Sequence, residues 1–184
     1  MIRVGVIGTG AMGQNHVRIY SEMDGVELAG ISDIDQKRVE SMAAQFKTKS
    51  FTDYKEMFAE GLDAVSVVVP TKLHKQVVLD ALDAGLHVLV EKPIADTTEN
   101  ADLMISAAKK AGKILMVGHI ERFNPAVIKL KEIIDSGILG KIVSISTKRV
   151  GPYNPRIRDV GVILDIGVHD IDVISYLYGM KINS

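Results

Sequence analysis

Arg3-Val4-Gly5-Val6-Ile7-Gly8-Thr9-Gly10-Ala11-Met12-Gly13-Gln14 is the stretch that decides the fold. A β-branched run, Arg3–Ile7, meets glycines at 8, 10 and 13, and an amphipathic stretch near Ala11–Met23 follows. A Gly-x-Gly-x-x-Gly pattern has physical meaning when a strand precedes it and a helix opens within it, as here. Gly8 permits the tight turn, Gly10 lets the backbone approach a pyrophosphate, and Gly13 lets helix and strand pack closely. The helix start offers free N–H groups and a positive dipole end to phosphate oxygens. Gly8, Thr9, Gly10, Ala11, Met12 and Gly13 are therefore a candidate dinucleotide-binding loop. An ordinary glycine turn of an α/β protein is the alternative.

Outward from the loop, short apolar runs alternate with longer amphipathic ones. Strands are predicted at Arg3–Ile7, Val26–Ile31, Ala64–Val69, His87–Val90, Ile114–Val117 and Ile142–Thr147. Helices are predicted near Ala11–Met23, Asp35–Gln45, Lys72–Ala84, Thr97–Ala111, Pro125–Ser136 and Leu164–Tyr178. This alternation implies an α/β fold, a Rossmann-type doubly wound parallel sheet with helices on both faces. Gly25, Gly85, Gly112 and Gly137 follow four of the helices, where a left-handed cap is wanted. After about Gly140 the rhythm changes. One strand and one helix cannot make a sheet domain, so residues 1–120 read as a dinucleotide-binding domain and 121–184 as the incomplete opening of a second α/β domain.

Asp33 ends the second predicted strand, 20 residues past Gly13. A carboxylate there can accept hydrogen bonds from the adenosine ribose hydroxyls and repel a 2′-phosphate, which favours NAD over NADP. Asp33 or Asp35 could instead simply cap the next helix, and Arg38 is near enough to meet a 2′-phosphate.

Of 184 residues, 22 are Lys or Arg and 23 are Asp or Glu, giving a formal charge of −1. Near-zero charge supplies no general attraction to nucleic acid or anionic membrane. Cysteine is absent, which excludes disulfides, Cys-ligated zinc and thiol catalysis within this chain. The longest apolar stretch, around Val65–Val69, is too short to span a bilayer. The amino-terminal residues enter a strand pattern directly, without a leader pattern. A soluble cytoplasmic protein is the expectation.

Ligands of doubly wound sheets sit beyond the carboxyl ends of the strands, and unusual polar residues cluster there. The run Ala64–Val69 ends at Pro70-Thr71, with His74 behind. His87–Val90 ends at Glu91-Lys92-Pro93. Ile114–Val117 leads to His119 and Arg122. Lys92, before a proline, is biased to an extended backbone; a solvated loop charge is its bland reading.

Asp165, His169 and Asp172 fall at i, i+4 and i+7, one stripe of a helix. Ile166, Val173, Ile174 and Leu177 form an apolar stripe, and Gly167 inside the helix suggests a close approach by a ligand or another backbone. A His beside a carboxylate suits a general base. The same three side chains could equally form a structural network or hold a divalent ion. Lys148, Arg149, Arg156 and Arg158 make a cationic stretch suited to an acidic substrate, or to a solvated strand edge.

Taken together, the glycine loop, Val69-Pro70-Thr71…His74, Glu91-Lys92-Pro93, Gly118-His119-Ile120-Glu121-Arg122-Phe123-Asn124-Pro125 and Asp165…His169…Asp172 resemble the Gfo/Idh/MocA family of oxidoreductases. The resemblance implies hydride transfer between a sugar or polyol carbon and a nicotinamide cofactor, without metal. It implies that Lys92 contacts substrate hydroxyl and nicotinamide, that His169 is the general base with Asp165 as partner, and that Asp172 is a substrate-site carboxylate. The cofactor set is Gly8–Gly13, Asp33, Pro70, Thr71, His74, Glu91 and Lys92. The substrate set is Lys92, Arg122, Arg149, Arg158, Asp165, His169 and Asp172. Arg149-Val150-Gly151-Pro152 and Arg156–Val162 resemble, more narrowly, the branch that oxidises the 3-hydroxyl of a UDP-N-acetylhexosamine. A polyol dehydrogenase such as an inositol dehydrogenase, a non-catalytic dinucleotide-sensing module and a metal-dependent hydrolase or lyase are the alternatives. Family members are considerably longer, so a truncated chain, a homo-oligomer when whole and doubtful catalysis by these residues alone are expected.

Overall fold

Valine- and isoleucine-rich runs become the strands of one parallel sheet: β1 (Ile2–Ile7), β2 (Val26–Ser32), β3 (Lys49–Phe51), β4 (Ala64–Val67), β5 (His87–Val90) and β6 (Leu115–Val117). The structure is a computed structural model that describes residues 1–150, 161 and 163–179, with the backbone alone at 164 and 165. The strand order is β3-β2-β1-β4-β5-β6, and each pairing is parallel. This is the Rossmann order, whose ligand crevice opens at the carboxyl ends of β1 and β4, where the order reverses.

Successive strand residues point to opposite faces, and the two faces carry separate cores. Val6 and Ile31 pack with Val17 of α1 (Gly13–Glu22) and with Val39, Met42 and Ala43 of α2 (Gln36–Phe46). Ile7, Val67 and Val90 pack on the other face with Met57 of α3 (Tyr54–Phe58), Val78 of α4 (Thr71–Asp83) and Met104 of α5 (Thr98–Ala111). Val6, Val67 and Val90 are fully buried, each contributing roughly 1.5–3 kcal/mol. The helix ends follow local chemistry. Asp35 caps α2 by accepting the Arg38 N–H, Thr97 caps α5 by accepting the Asn100 N–H, and Gly112 closes α5 in the left-handed region at φ 64°.

The chain divides into two compact units, Met1–Gly118 and His119–Ser184. In the second, a 3₁₀ turn, Ile120–Phe123, leads into α6 (Pro125–Asp135), capped by Asn124 with Pro125 at the first helical position. A π turn, Ile163–Gly167, runs into α7 (Val168–Tyr178). Leu130, Ile134, Ile142, Ile145 and Leu177 line a cavity of about 400 Å³ in this unit.

Three expectations are corrected. Ile142–Thr147 is not a strand; among the described residues of its unit no neighbouring strand receives its hydrogen bonds. The final helix does not run regularly from Leu164, because its first turn is π. Ile166 is exposed rather than part of a buried stripe, and an added Cβ at Gly167 would meet only the Ile163 side chain at ordinary distance. Conversely, β3 and α3 had no sequence signal: Lys49-Ser50-Phe51 is an outer strand bonded only to β2. Among the described residues, no helix is long and apolar enough to cross a membrane.

Candidate functional site

The glycine loop joins β1 to α1. Gly8 sits at φ 94°, and a Cβ there would lie 2.5 Å from the Val68 carbonyl oxygen. A Cβ on Gly13 would lie 1.9 Å from the Gly8 carbonyl oxygen. The turn thus folds back on its own helix so tightly that only hydrogen fits at 8 and 13. Gly10 differs: nothing lies within 4 Å of its would-be Cβ. The loop is closed behind and open above Gly10, and no side chain caps the start of α1. That open backbone surface at a helix N-terminus fits a diphosphate.

Asp33 braces this loop. Its Oδ2 accepts the Thr9 N–H at 2.7 Å and the Thr9 hydroxyl at 2.8 Å, and its Oδ1 accepts the Asp35 N–H at 2.9 Å. Of the two capping candidates, Asp35 is the cap itself, while Asp33 orders the turn into α2. Three of roughly four acceptor positions are engaged. Arg38 binds Asp35 at 2.7 Å and approaches Asp33 at 3.5 Å. Burial pushes the Asp33 carboxyl up, but the hydrogen bonds from Asp35 and Thr9 and the Arg38 charge hold it below the usual range.

Lys92 lies two residues past the end of β5, and its peptide to Pro93 is cis. Glu91 does not face outward. Its Oε1 lies 3.0 Å from His16 Nε2, its Oε2 accepts the Lys92 N–H at 3.1 Å, and its carboxylate sits against Gly118. Burial raises the Glu91 carboxyl, but the hydrogen bonds from His16 and the Lys92 N–H hold it below the usual range. His74 is 1% exposed. Its Nδ1 lies 3.0 Å from the Pro93 carbonyl oxygen and 3.3 Å from that of Ile94, and its Nε2 lies 2.9 Å from that of Val69. His74 and Glu91 thus tie loop to sheet through these contacts. Pro70 precedes α4 and Thr71, buried, begins it.

In the second unit, α7 carries His169 and Asp172. Asp165 belongs to the wider π turn, so the three do not share one α-helical stripe. The side chain of Asp165, and all of Arg156 and Arg158, lie outside the described residues. Asp172 is buried and takes a two-pronged hydrogen bond from Arg122, whose Nη2 stands 2.5 Å from Oδ1 and whose Nε stands 2.9 Å from Oδ2. His119 Nδ1 lies 3.5 Å from the same carboxylate, and Arg122 stacks over the Tyr176 ring at 5.7 Å. Arg149 pairs with Asp170 at 3.0 Å and Glu121 at 3.3 Å. Two expected substrate cations, Arg122 and Arg149, are thus matched to carboxylates within the unit. Among the described residues, no three acidic or imidazole groups stand together as a metal site.

His16, Ser66 and Tyr20 escaped the sequence reading. The available signal was Ser66, a hydroxyl inside the apolar run Ala64–Val69. It is fully buried, and Tyr20 Oη and His16 Nδ1 reach it at 2.8 and 3.2 Å.

Comparison with known proteins agrees with this architecture. Residues 2–119 match the family model described as an oxidoreductase family with an NAD-binding Rossmann fold, and residues 127–184 match the GFO/IDH/MocA C-terminal domain. The chain is 36% identical over 180 residues to UDP-N-acetylglucosamine 3-dehydrogenase of Acidithiobacillus ferrooxidans, covering 98% of this chain and 55% of that protein. It is 32% identical over 186 residues to inositol 2-dehydrogenase 2 of Saccharopolyspora erythraea, with 98% and 55% covered. A solved structure of the Acidithiobacillus ferrooxidans enzyme superposes with a TM-score of 0.88 at 34% identity, covering 100% of this chain and 56% of that one. The chain spans about half the length of the curated relatives it matches.

Proposed function

Because the chain belongs to the Gfo/Idh/MocA oxidoreductase family, we propose that it binds NAD and that the protein to which it belongs oxidises a sugar hydroxyl, the 3-hydroxyl of a UDP-N-acetylhexosamine. The observation that carries cofactor binding is the glycine loop, closed at Gly8 and Gly13 and open over Gly10. Asp33 places a carboxylate at the end of β2 and draws Arg38 toward Asp35 and itself, which supports NAD over NADP.

A nicotinamide dinucleotide held there would supply hydride-transfer chemistry. Gly8–Gly13 would hold its diphosphate. The expected role of Lys92 is to lend positive charge to a substrate oxygen, and that of His169, with Asp165 as the expected partner of its ring, is to accept a proton. Arg122 and Arg149 order Asp172 and Asp170 on α7 before they meet any substrate. The UDP-N-acetylhexosamine reading is supported by the relative at 36% identity. Inositol is the second reading, supported by the relative at 32%.

The test has two arms. NADH titration of this chain, by calorimetry, is expected to give saturable binding that Asp33→Ser shifts toward NADPH. Lys92→Ala and His169→Ala in the protein that turns over substrate should each lower kcat by roughly 100-fold or more. Wild-type turnover in both variants removes the role assignments.

A further inference from the structure

We infer that His16 is a positioning residue for Lys92, acting through the Glu91 carboxylate that lies between them. The inference builds on the role proposed above for Lys92, although its first readout does not depend on turnover.

A chain of side chains from three elements leads to this carboxylate, which lies against a fourth segment. His16 and Tyr20 come from α1, Ser66 from β4, Glu91 from the end of β5, and Gly118 follows β6. With the ring proton on His16 Nε2, the hydrogen bonds run in one direction. The Tyr20 hydroxyl donates to Ser66 Oγ, the Ser66 hydroxyl donates to His16 Nδ1, and His16 Nε2–H donates to Glu91 Oε1. The Lys92 N–H completes the chain at Oε2. The His16 and Glu91 side chains are only 14% and 13% exposed. The carboxylate lies in the space left by the missing side chain of Gly118, where an added Cβ would stand 3.3 Å from its Cδ and Oε1.

Such a buried pair is a poor source of net stability, since well-packed apolar residues of similar volume usually do as well or better. What it supplies is direction. A ring held at both nitrogens fixes a carboxylate, and that carboxylate fixes the backbone N–H from which the Lys92 side chain departs. His16 also lies three residues past Gly13 on the same helix. One short helix thus carries the phosphate end of the site and sets the lysine at the reacting end.

The experiment follows the Lys92 amide by hydrogen exchange in labelled protein, beside steady-state kinetics. His16→Phe, which keeps ring bulk and removes both nitrogens, should speed Lys92 amide exchange roughly tenfold. It should lower kcat by about tenfold while the KM for dinucleotide stays within about twofold. Glu91→Ala should match it, whereas Glu91→Gln, which can still accept the Lys92 N–H and donate to His16, should retain most of the protection. Tyr20→Phe, at the far end of the chain, should leave the Lys92 amide within about twofold. An unchanged Lys92 amide in folded His16→Phe overturns the inference, as does a Tyr20→Phe effect equal to that of His16→Phe. If His16→Phe does not fold, Ser66→Ala cuts the ring's other anchor; a faster Lys92 amide then supports the inference and an unchanged one overturns it. A moved amide in a protein without turnover removes the proposed reaction and leaves the positioning intact. Turnover with an unmoved amide does the reverse.

Discussion

Gly10 and Gly13 lie three residues apart in one loop, yet replacing each by alanine should have opposite consequences for folding. At Gly13 the new methyl would stand 1.9 Å from the Gly8 carbonyl oxygen, a distance that Cβ atoms do not tolerate below 3.0 Å. The loop must open by about 1 Å, and Gly8 is anchored by its N–H to the Ser32 carbonyl at 2.8 Å. Overpacking against backbone of this kind costs about 3 kcal/mol, or roughly 6–12 °C in Tm for a chain of this size. At Gly10 the methyl meets nothing within 4 Å, and no left-handed φ opposes it. Gly10→Ala should therefore gain about 0.4–1 kcal/mol by restricting the unfolded chain, raising Tm by roughly 1–4 °C. The same methyl occupies the space over which a diphosphate would pass, so NADH affinity should fall about 100-fold, close to 2.8 kcal/mol. Thermal melts and calorimetric titration separate the two effects. The chain has no tryptophan, so nicotinamide fluorescence gives a second binding signal free of indole. If Gly10→Ala binds NADH as tightly as the parent, the diphosphate does not lie over this loop and the cofactor assignment fails. If Gly13→Ala melts with the parent, the loop geometry is wrong.

Three further outcomes are expected. Asp33 has a depressed native pKa, so its contribution is present above its ordinary value near 3.8 and is lost as pH falls through the lower native one; the stability gap between parent and Asp33→Asn, measured by urea titration, should close in that window and stay constant above it. Tyr54 is pushed up to about 12 by burial, its 2.8 Å hydrogen bond to Asp80 and the charges of Asp80 and Asp53. Its stabilisation is complete below the ordinary value of 10 and is lost as pH rises toward 12, so one of the five tyrosines should titrate late by ultraviolet absorbance and Tyr54→Phe should remove that step. Arg122→Met strands the buried Asp172 carboxylate without its fork and should destabilise by about 1–3 kcal/mol, with Arg122→Lys intermediate, as read by denaturant melts.

The fold was legible because its signals are local. A valine run, three glycines and an amphipathic helix specify the first β-α unit, and buried parallel strands announce themselves as unbroken apolar runs. Lys49–Phe51 was illegible because an outer strand of three residues needs no apolar run. Ile142–Thr147 misled because strand-like composition does not supply a neighbour to bond to. In the site, residues whose job is set by backbone geometry, Gly8, Gly13 and Asp33, could be found from spacing. His74 and Glu91 could be found only as polar residues near the right edge. Which way they point depends on carbonyls and rings brought in from 5 to 75 positions away, and a sequence carries no such distance. Gly167 marked a real irregularity, but a π turn rather than a close approach.

The single carboxylate of Asp33 fastens Thr9 and, in the function proposed above, would also receive the ribose. Those two traits are consequently inherited as one. A lineage drifting toward a phosphorylated dinucleotide must discard an anion that also latches its loop, so the first mutational step sacrifices rigidity before any new preference is secured. Replacements at 9 and 33 should therefore be strongly epistatic, and selection for altered coenzyme usage should recover them as a pair.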